Sequence, residues 1–149
     1  MMDAIIQVSA ALIGTLAFGL IFNIRGKKLL VGALGGMLAW ALFLLLGLWI
    51  PSEVARYFLV SVAIAGYAEI FARVLKTPTT TFVMVSLISL IPGSGLYYTV
   101  ASALNGDLPQ FLEKALHTLA LAAALSLGIV VVSALVKHVT AYRNKRKEQ

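Results

Sequence analysis

The chain alternates long apolar stretches with short polar breaks, and it does so five times. Each stretch is close to the roughly 20 residues that a helix needs to cross about 30 Å of hydrocarbon. The breaks contain residues that end helices: Asn23 and Gly26 after the first stretch, Pro51 after the second and Pro78 after the third. We therefore predict an all-α membrane protein, a bundle of five transmembrane helices in one domain, residues 1–149. The predicted spans are residues 4–22, 29–50, 54–75, 80–104 and 113–139.

Composition agrees with a membrane location. Of the 149 residues, 60% are apolar and 12% are charged, about half the 25% or so that is usual in soluble domains. There is no cysteine, which excludes disulfides and thiolate metal sites. The basic residues lie between and after the apolar stretches and form no aromatic-interleaved groove, so nucleic acid is not an expected partner. No phosphate loop, nucleophile elbow or metal-binding His-Glu motif occurs, so neither an enzyme nor a cofactor is predicted.

The distribution of positive charge predicts the orientation. With five spans, one side of the membrane holds only Arg56 and Lys114. The other side holds Arg25, Lys27, Lys28, Arg73, Lys76, Lys137, Arg143, Lys145, Arg146 and Lys147. Since cytoplasmic loops carry the excess of Lys and Arg, we expect the amino terminus outside and a solvated, basic tail, residues 140–149, in the cytoplasm. The same count requires the fourth segment to cross once, because a re-entrant hairpin there would place the basic tail outside.

The fourth apolar segment is interrupted near its middle. Proline removes a backbone donor and glycines let the chain leave helical geometry, so unpaired backbone groups are expected at membrane depth. Discontinuous helices of this kind form substrate sites in transporters, and a second half-helix starting near Ser94 would offer free amides to a carboxylate or other anion. A plain proline kink is the alternative. The predicted substrate-binding residues are Pro92, Gly93, Ser94, Gly95, Tyr97 and Tyr98.

Glu69 is the only acid well inside a predicted span. Such an acid is costly in lipid and normally pairs with a cation or takes part in ion movement. Arg73 lies four residues later on the same helical face. Two interpretations stay open: a proton-coupling site formed by Glu69 with Arg73, or a static ion pair that braces the third helix. His117 and His138 lie near the ends of the last span without a cluster of acids or histidines, and we interpret them as interfacial residues and not metal ligands.

Small residues recur at four-residue spacing in three of the spans. They let helix backbones approach closely, which matters in lipid, where hydrophobicity alone does not drive helices together. They are Ala11, Thr15 and Gly19, then Gly32 and Gly36, then Ala120, Ala124 and Gly128.

In their order, these motifs resemble the smaller half of the threonine/serine exporter family. The likeness covers nearly the whole chain. It is carried by residues 19–23 with the basic loop after them, 32–40, 68–78, 90–97 and the pair Gly106-Asp107. Family members often have a proline soon after the Phe-Asn pair, where this chain has Ile24, Arg25 and Gly26.

The resemblance implies one subunit of a proton-driven exporter in a cytoplasmic membrane of bacterial type, working with a separately encoded, larger multispanning subunit. Its expected substrate is a small carboxylate metabolite, with threonine and serine first and a dicarboxylate such as succinate as the alternative. Two other interpretations stay open: a non-catalytic assembly subunit and a homo-oligomeric channel.

Overall fold

The computed structural model of the chain describes residues 2–145, with side chains as far as Tyr142. Within that range it contains six α-helices, one 3-10 turn and no strand, which confirms the all-α prediction. The elements are α1 Met2–Ile21, α2 Lys27–Leu46, α3 Glu53–Val74, α4 Thr79–Leu87, the 3-10 turn Ile88–Leu90, α5 Gly93–Leu104 and α6 Leu108–Lys145.

Four of these helices, α1, α2, α3 and α6, are long and apolar enough to cross a membrane. The fifth candidate span is a bent pair, Thr79–Leu90 with Gly93–Leu104, whose two parts differ in direction by 57°. The five-span bundle with an interrupted fourth helix is therefore present when the bent pair counts as one span. Because 57° is less than a right angle, α5 continues away from the start of α4 and does not turn back beside it.

Local signals explain where the helices begin and end. Ser52 caps α3, and its side chain accepts a hydrogen bond from the Ala55 amide at 3.4 Å. Asn23, with φ of 56°, and Gly26, with φ of 63°, make the tight turn between α1 and α2. At the other end of the chain, α6 is longer than we predicted, because the supposed tail is helical as far as Lys145. Arg146 and Lys147 lie outside the described residues.

The helices pack as an open row. Helix α1 contacts α2, α2 contacts α3, and α3 contacts α6. Helix α4 packs against α2 and α3 and touches α1, whereas α5 packs mainly on α6. The break between α4 and α5 thus separates a half-helix held at the centre of the bundle from one held at its α6 end.

Small residues make the closest helix contacts. Gly36 of α2 lies against Thr15 of α1, and Gly128 of α6 lies against Ser61 of α3. Two of the predicted small-residue positions, Gly36 and Gly128, therefore do allow close approach. Between α4 and α2, a hydroxyl group bonds to a backbone carbonyl of the neighbouring helix: Ser86 Oγ of α4 donates to the Gly32 carbonyl of α2 at 3.2 Å.

Substitution of Gly128 tests the contact between α3 and α6. A Cβ there would collide with Ser61 Oγ and lie 2.9 Å from the Phe58 carbonyl oxygen, and overpacking of this kind costs about 1–3 kcal/mol. We expect Gly128→Ala to lower the thermal unfolding midpoint of the detergent-solubilised chain. Gly66→Ala in α3 is the control, because a Cβ there meets no atom within 4 Å. Equal midpoints for the two variants would contradict this packing.

Candidate functional site

The fourth span loses regular helical hydrogen bonding at Pro92. Since proline has no N–H, the Ile88 carbonyl accepts instead from the Ile91 amide at 3.3 Å. The Gly93 amide turns back to the Ile91 carbonyl at 2.7 Å, and Ile91 itself is extended, with φ of −60° and ψ of 124°. Regular bonding resumes where the Leu96 amide donates to the Pro92 carbonyl. The interruption is therefore a real gap in the helix and not a gentle curve.

The break places the last carbonyls before Pro92 close in sequence to the first amides of α5. The carbonyls are those of Ser89 and Leu90, and the amides are those of Ser94 and Gly95. The last carbonyls of one helix and the first amides of the next have no regular helical partner. The amides belong to the first turn of α5, which carries partial positive charge, and the carbonyls carry partial negative charge. The break thus presents hydrogen-bond donors and acceptors of opposite partial charge within a few residues of each other.

The predicted substrate-binding residues have different surroundings. Pro92 is buried at the start of α5, and Gly95 is partly buried against α6. Tyr97 and Tyr98 are 69% and 57% exposed, on the surface of α5, with their rings in edge contact at 5.3 Å between centroids. Ser94 and Gly93 are also exposed. The structure therefore brings together Gly95 and α6, and leaves both tyrosines facing away from the rest of the chain.

A buried hydroxyl that sequence reasoning missed lies against Gly95. Thr118 of α6 is 5% exposed, and its Oγ1 is buried without a hydrogen-bond partner. A Cβ at Gly95 would lie 2.5 Å from this oxygen. By contrast, the hydroxyls of Thr15 and Thr99 donate to carbonyls of their own helices, at 2.6 and 2.7 Å. No feature of the sequence around Thr118 distinguishes it from these ordinary helix hydroxyls.

A cavity of about 310 Å³ lies between α1, α2 and the 3-10 turn, and we call it the α1 cavity. Its polar residues include Gln7, whose Oε1 accepts from the Trp40 indole N–H at 3.2 Å. Ser89 is part of its wall and donates to the Gly36 carbonyl at 3.2 Å. Sequence reasoning did not select Gln7, although a single amide side chain early in an apolar span was the available signal. The cavity connects the break to α1, a helix that we did not include in the site.

The predicted pair of Glu69 and Arg73 is formed. Their side chains lie 3.6 Å apart, with Glu69 17% exposed and Arg73 60% exposed. The pair lies in the last turns of α3, close in sequence to the start of α4. The nine residues of α4, about 13 Å of helix, then separate that end of the bundle from the break. Glu69 and the break are thus at different depths, and the structure does not bring them together.

The family model described as Threonine/Serine exporter, ThrE, matches residues 7–135. That range includes Gln7, Glu69, the whole break and Thr118. The chain belongs to the threonine/serine exporter family. No curated protein and no solved structure matches it. This member of the exporter family is accordingly a multi-pass membrane transport protein whose spans contact the lipid bilayer.

Outside the break, one contact of this exporter-family chain joins α3 to α6 at the end of the bundle where α3 begins. His117 Nε2 lies 3.0 Å from the Glu53 carboxylate. Histidine therefore contacts a single acid here. Among residues 2–145 no group of three or more His, Cys, Asp or Glu side chains could hold a metal ion.

The two glycines of the break give a sharp test of how α5 is held. A Cβ at Gly95 would press on Thr118, whereas one at Gly93 meets no atom within 4 Å. We expect Gly95→Ala to displace α5 from α6 and to reduce threonine efflux about tenfold, the equivalent of about 1.4 kcal/mol. Gly93→Ala should export normally. The measurement is efflux of labelled threonine from cells with matched membrane levels of each variant. Equal effects of the two substitutions would contradict this packing of α5 against α6.

Proposed function

We propose that this chain is the smaller membrane subunit of a secondary exporter of threonine and serine, and that the break in its fourth span binds the substrate. The observation that carries the proposal is the set of helix-end groups on both sides of Pro92, where regular helical bonding is interrupted: carbonyls before it and amides after it. Lipid cannot satisfy such groups, so they require protein, water or a ligand. A free amino acid supplies both a carboxylate for the amides and an ammonium for the carbonyls.

The same groups favour an amino acid over a dicarboxylate. Succinate would suit the first-turn amides of Ser94 and Gly95 but would bring a second carboxylate towards the carbonyls of Ser89 and Leu90. A carboxylate has no donor for a carbonyl, and the partial charges repel. An ammonium donates three hydrogen bonds and carries the opposite charge. The arrangement therefore supports threonine and serine ahead of succinate, which stays the alternative substrate.

The open row of helices supports a subunit role. Helix α1 buries only Thr15 and Gly19, and among the described residues the well-packed helix pairs do not include α1 with α6. A polar substrate that crosses lipid needs a path enclosed by protein. We assign the remaining side of this path to the larger multispanning subunit that the family resemblance implies. The open side favours a role of this chain in the transport path over a role in assembly alone. A second copy of this chain is the alternative wall.

Proton coupling is the remaining part of the proposal. Glu69 is mostly shielded, and its one described cationic partner, Arg73, is largely exposed. A shielded carboxylate with an exposed partner can gain a proton when that partner moves away. We assign Glu69 this role, with the basic end of the bundle in the cytoplasm, as the charge distribution supports.

Removal of a single amide tests the substrate site. Proline has no N–H and is tolerated at the start of a helix, so Ser94→Pro, at the second residue of α5, deletes one first-turn amide. Ser94→Ala deletes only the hydroxyl. A hydrogen bond to a charged group contributes about 1.5–3 kcal/mol, so we expect Ser94→Pro to weaken threonine binding at least tenfold and Ser94→Ala to keep it near wild type.

The measurement is concentration-dependent efflux of labelled threonine, serine and succinate from cells that produce this chain with its larger subunit. Membrane levels and co-purification of the two chains are the controls. Wild-type efflux of succinate alone would favour the dicarboxylate alternative. If Ser94→Pro keeps α5 intact and exports threonine normally, the amides are not part of the substrate site.

Substitution of Glu69 separates coupling from bracing. We expect Glu69→Gln to abolish the dependence of threonine efflux on the proton gradient while exchange of threonine across the membrane continues. Arg73→Gln breaks the same ion pair but keeps the carboxylate, so it should keep proton dependence. If both variants lose stability and export alike, the pair is a structural brace and the coupling role is wrong.

A further inference from the structure

The α1 cavity adjoins the break through Ile88 and Ser89, and most of its wall is apolar, with Gln7, Thr15 and Ser89 as its polar residues. The proposed contacts to Ser94 and Gly95 make no use of it. We infer that it receives the side chain of the transported amino acid and that the Gln7 amide recognises the hydroxyl of threonine or serine. The inference rests on the proposed function, because it assigns a further part of the same substrate site.

Position and size support this assignment. The 3-10 turn that ends α4 forms one wall of the cavity through Ile88 and Ser89. The carbonyl of Ser89 is also one of the groups at the break that we assign to the substrate ammonium. An amino acid held there has its side chain within reach of the cavity. The volume of about 310 Å³ is at the lower end of the range for ligand pockets, roughly 300–1,000 Å³, which suits a small substrate.

The chemistry of the wall supports a hydroxyl. Gln7 Oε1 is occupied by the indole N–H of Trp40, at 3.2 Å. That bond fixes which end of the amide faces Trp40 and leaves Nε2 with two donors that no acceptor in the described structure meets. Trp40 is itself held by stacking on Phe43, with 5.3 Å between ring centroids. The Gln7 side chain is exposed in this structure. Its remaining donors call for an acceptor, and a hydroxyl oxygen supplies one.

On the α1 side of the cavity, small residues leave room for a substrate side chain. Ala10, Ala11 and Gly14 of α1 border the cavity. A Cβ at Gly14 would meet no atom within 4 Å, so a larger side chain there can enter the cavity without displacing α2. Gly66 of α3 is equally free around its Cβ position but does not border the cavity. The two glycines form a matched pair for an experiment.

The first arm of the test fills the cavity. Cells produce the complete transporter, this chain with its larger subunit, carrying Gly14→Leu or Gly66→Leu. We expect Gly14→Leu to lower efflux of labelled serine at least tenfold at normal membrane level, and Gly66→Leu to leave it unchanged. Wild-type efflux by Gly14→Leu would overturn the inference. Loss of the larger subunit from Gly14→Leu on co-purification would also overturn it, because the cavity would then be a docking groove for a partner helix.

The second arm changes the chemistry without filling the space. In the wild type we expect serine to be exported in preference to alanine, which lacks only the hydroxyl. Gln7→Leu should lower the serine-to-alanine efflux ratio about tenfold while alanine efflux continues. A purely structural role of Gln7 would lower both rates together and leave the ratio unchanged, which would overturn the assignment of Gln7.

A third arm measures occupancy directly. The chain has no cysteine, so Gly14→Cys carries a single thiol at the cavity and Gly66→Cys carries one elsewhere. Threonine should slow labelling of Gly14→Cys by a methanethiosulfonate reagent and leave Gly66→Cys unaffected. Equal labelling with and without threonine, in a transporter that exports threonine, overturns this inference but not the proposed function. Failure of the wild type to export either amino acid overturns the proposed function and this inference together.

Discussion

A membrane-spanning chain must satisfy its backbone polar groups internally, and the structure of this protein follows from where it does so and where it does not. Over most of its length, helices pair their own amides and carbonyls. Hydroxyls such as Ser86 Oγ and Ser89 Oγ, which donate to the Gly32 and Gly36 carbonyls, tie α4 and the 3-10 turn to α2. At Pro92 the regular pairing is interrupted, between the carbonyls of Ser89 and Leu90 and the first amides of α5. The bend of 57°, the attachment of α5 to α6 and the α1 cavity all adjoin that one gap.

Sequence patterns predicted the features that depend on local chemistry. Apolar length indicated the helices, the spacing of Glu69 and Arg73 indicated their ion pair, and Pro92 indicated the break. Each of these signals lies within a few residues of the structure that it produces. The helical stretch of 140–145 was missed because its charged residues were read as solvated tail, although a helix can continue beyond the lipid.

Features that depend on distant packing were not predictable. Gly93 and Gly95 are two residues apart and looked equivalent, yet a Cβ at Gly95 would meet Thr118 of α6, whereas one at Gly93 would meet no atom within 4 Å. Gln7 and Trp40 are 33 residues apart, and their contact depends on how α1 crosses α2. For the same reason, a family match over residues 7–135 indicates an exporter but does not indicate which atoms meet the substrate.

The distance between Glu69 and the break constrains any coupling between them. They lie towards opposite ends of α4, so a change at the carboxylate can affect the break only through helices that extend along that length. Helix α4 is the direct connection, since it begins close in sequence to the Glu69–Arg73 pair and leads into the 3-10 turn. It lies on the glycine face of α2, where Gly32 faces Val85 and Gly35 faces Ser86. Small sliding of packed helices is an established form of conformational change, and here α4 would have to move across a face that Val85 and Ser86 contact closely. The hydroxyl bonds from Ser86 and Ser89 to α2 resist such sliding, so any shift of α4 has to break or exchange them. Coupling through α4 therefore requires that substrate or proton binding compensate for those two hydrogen bonds.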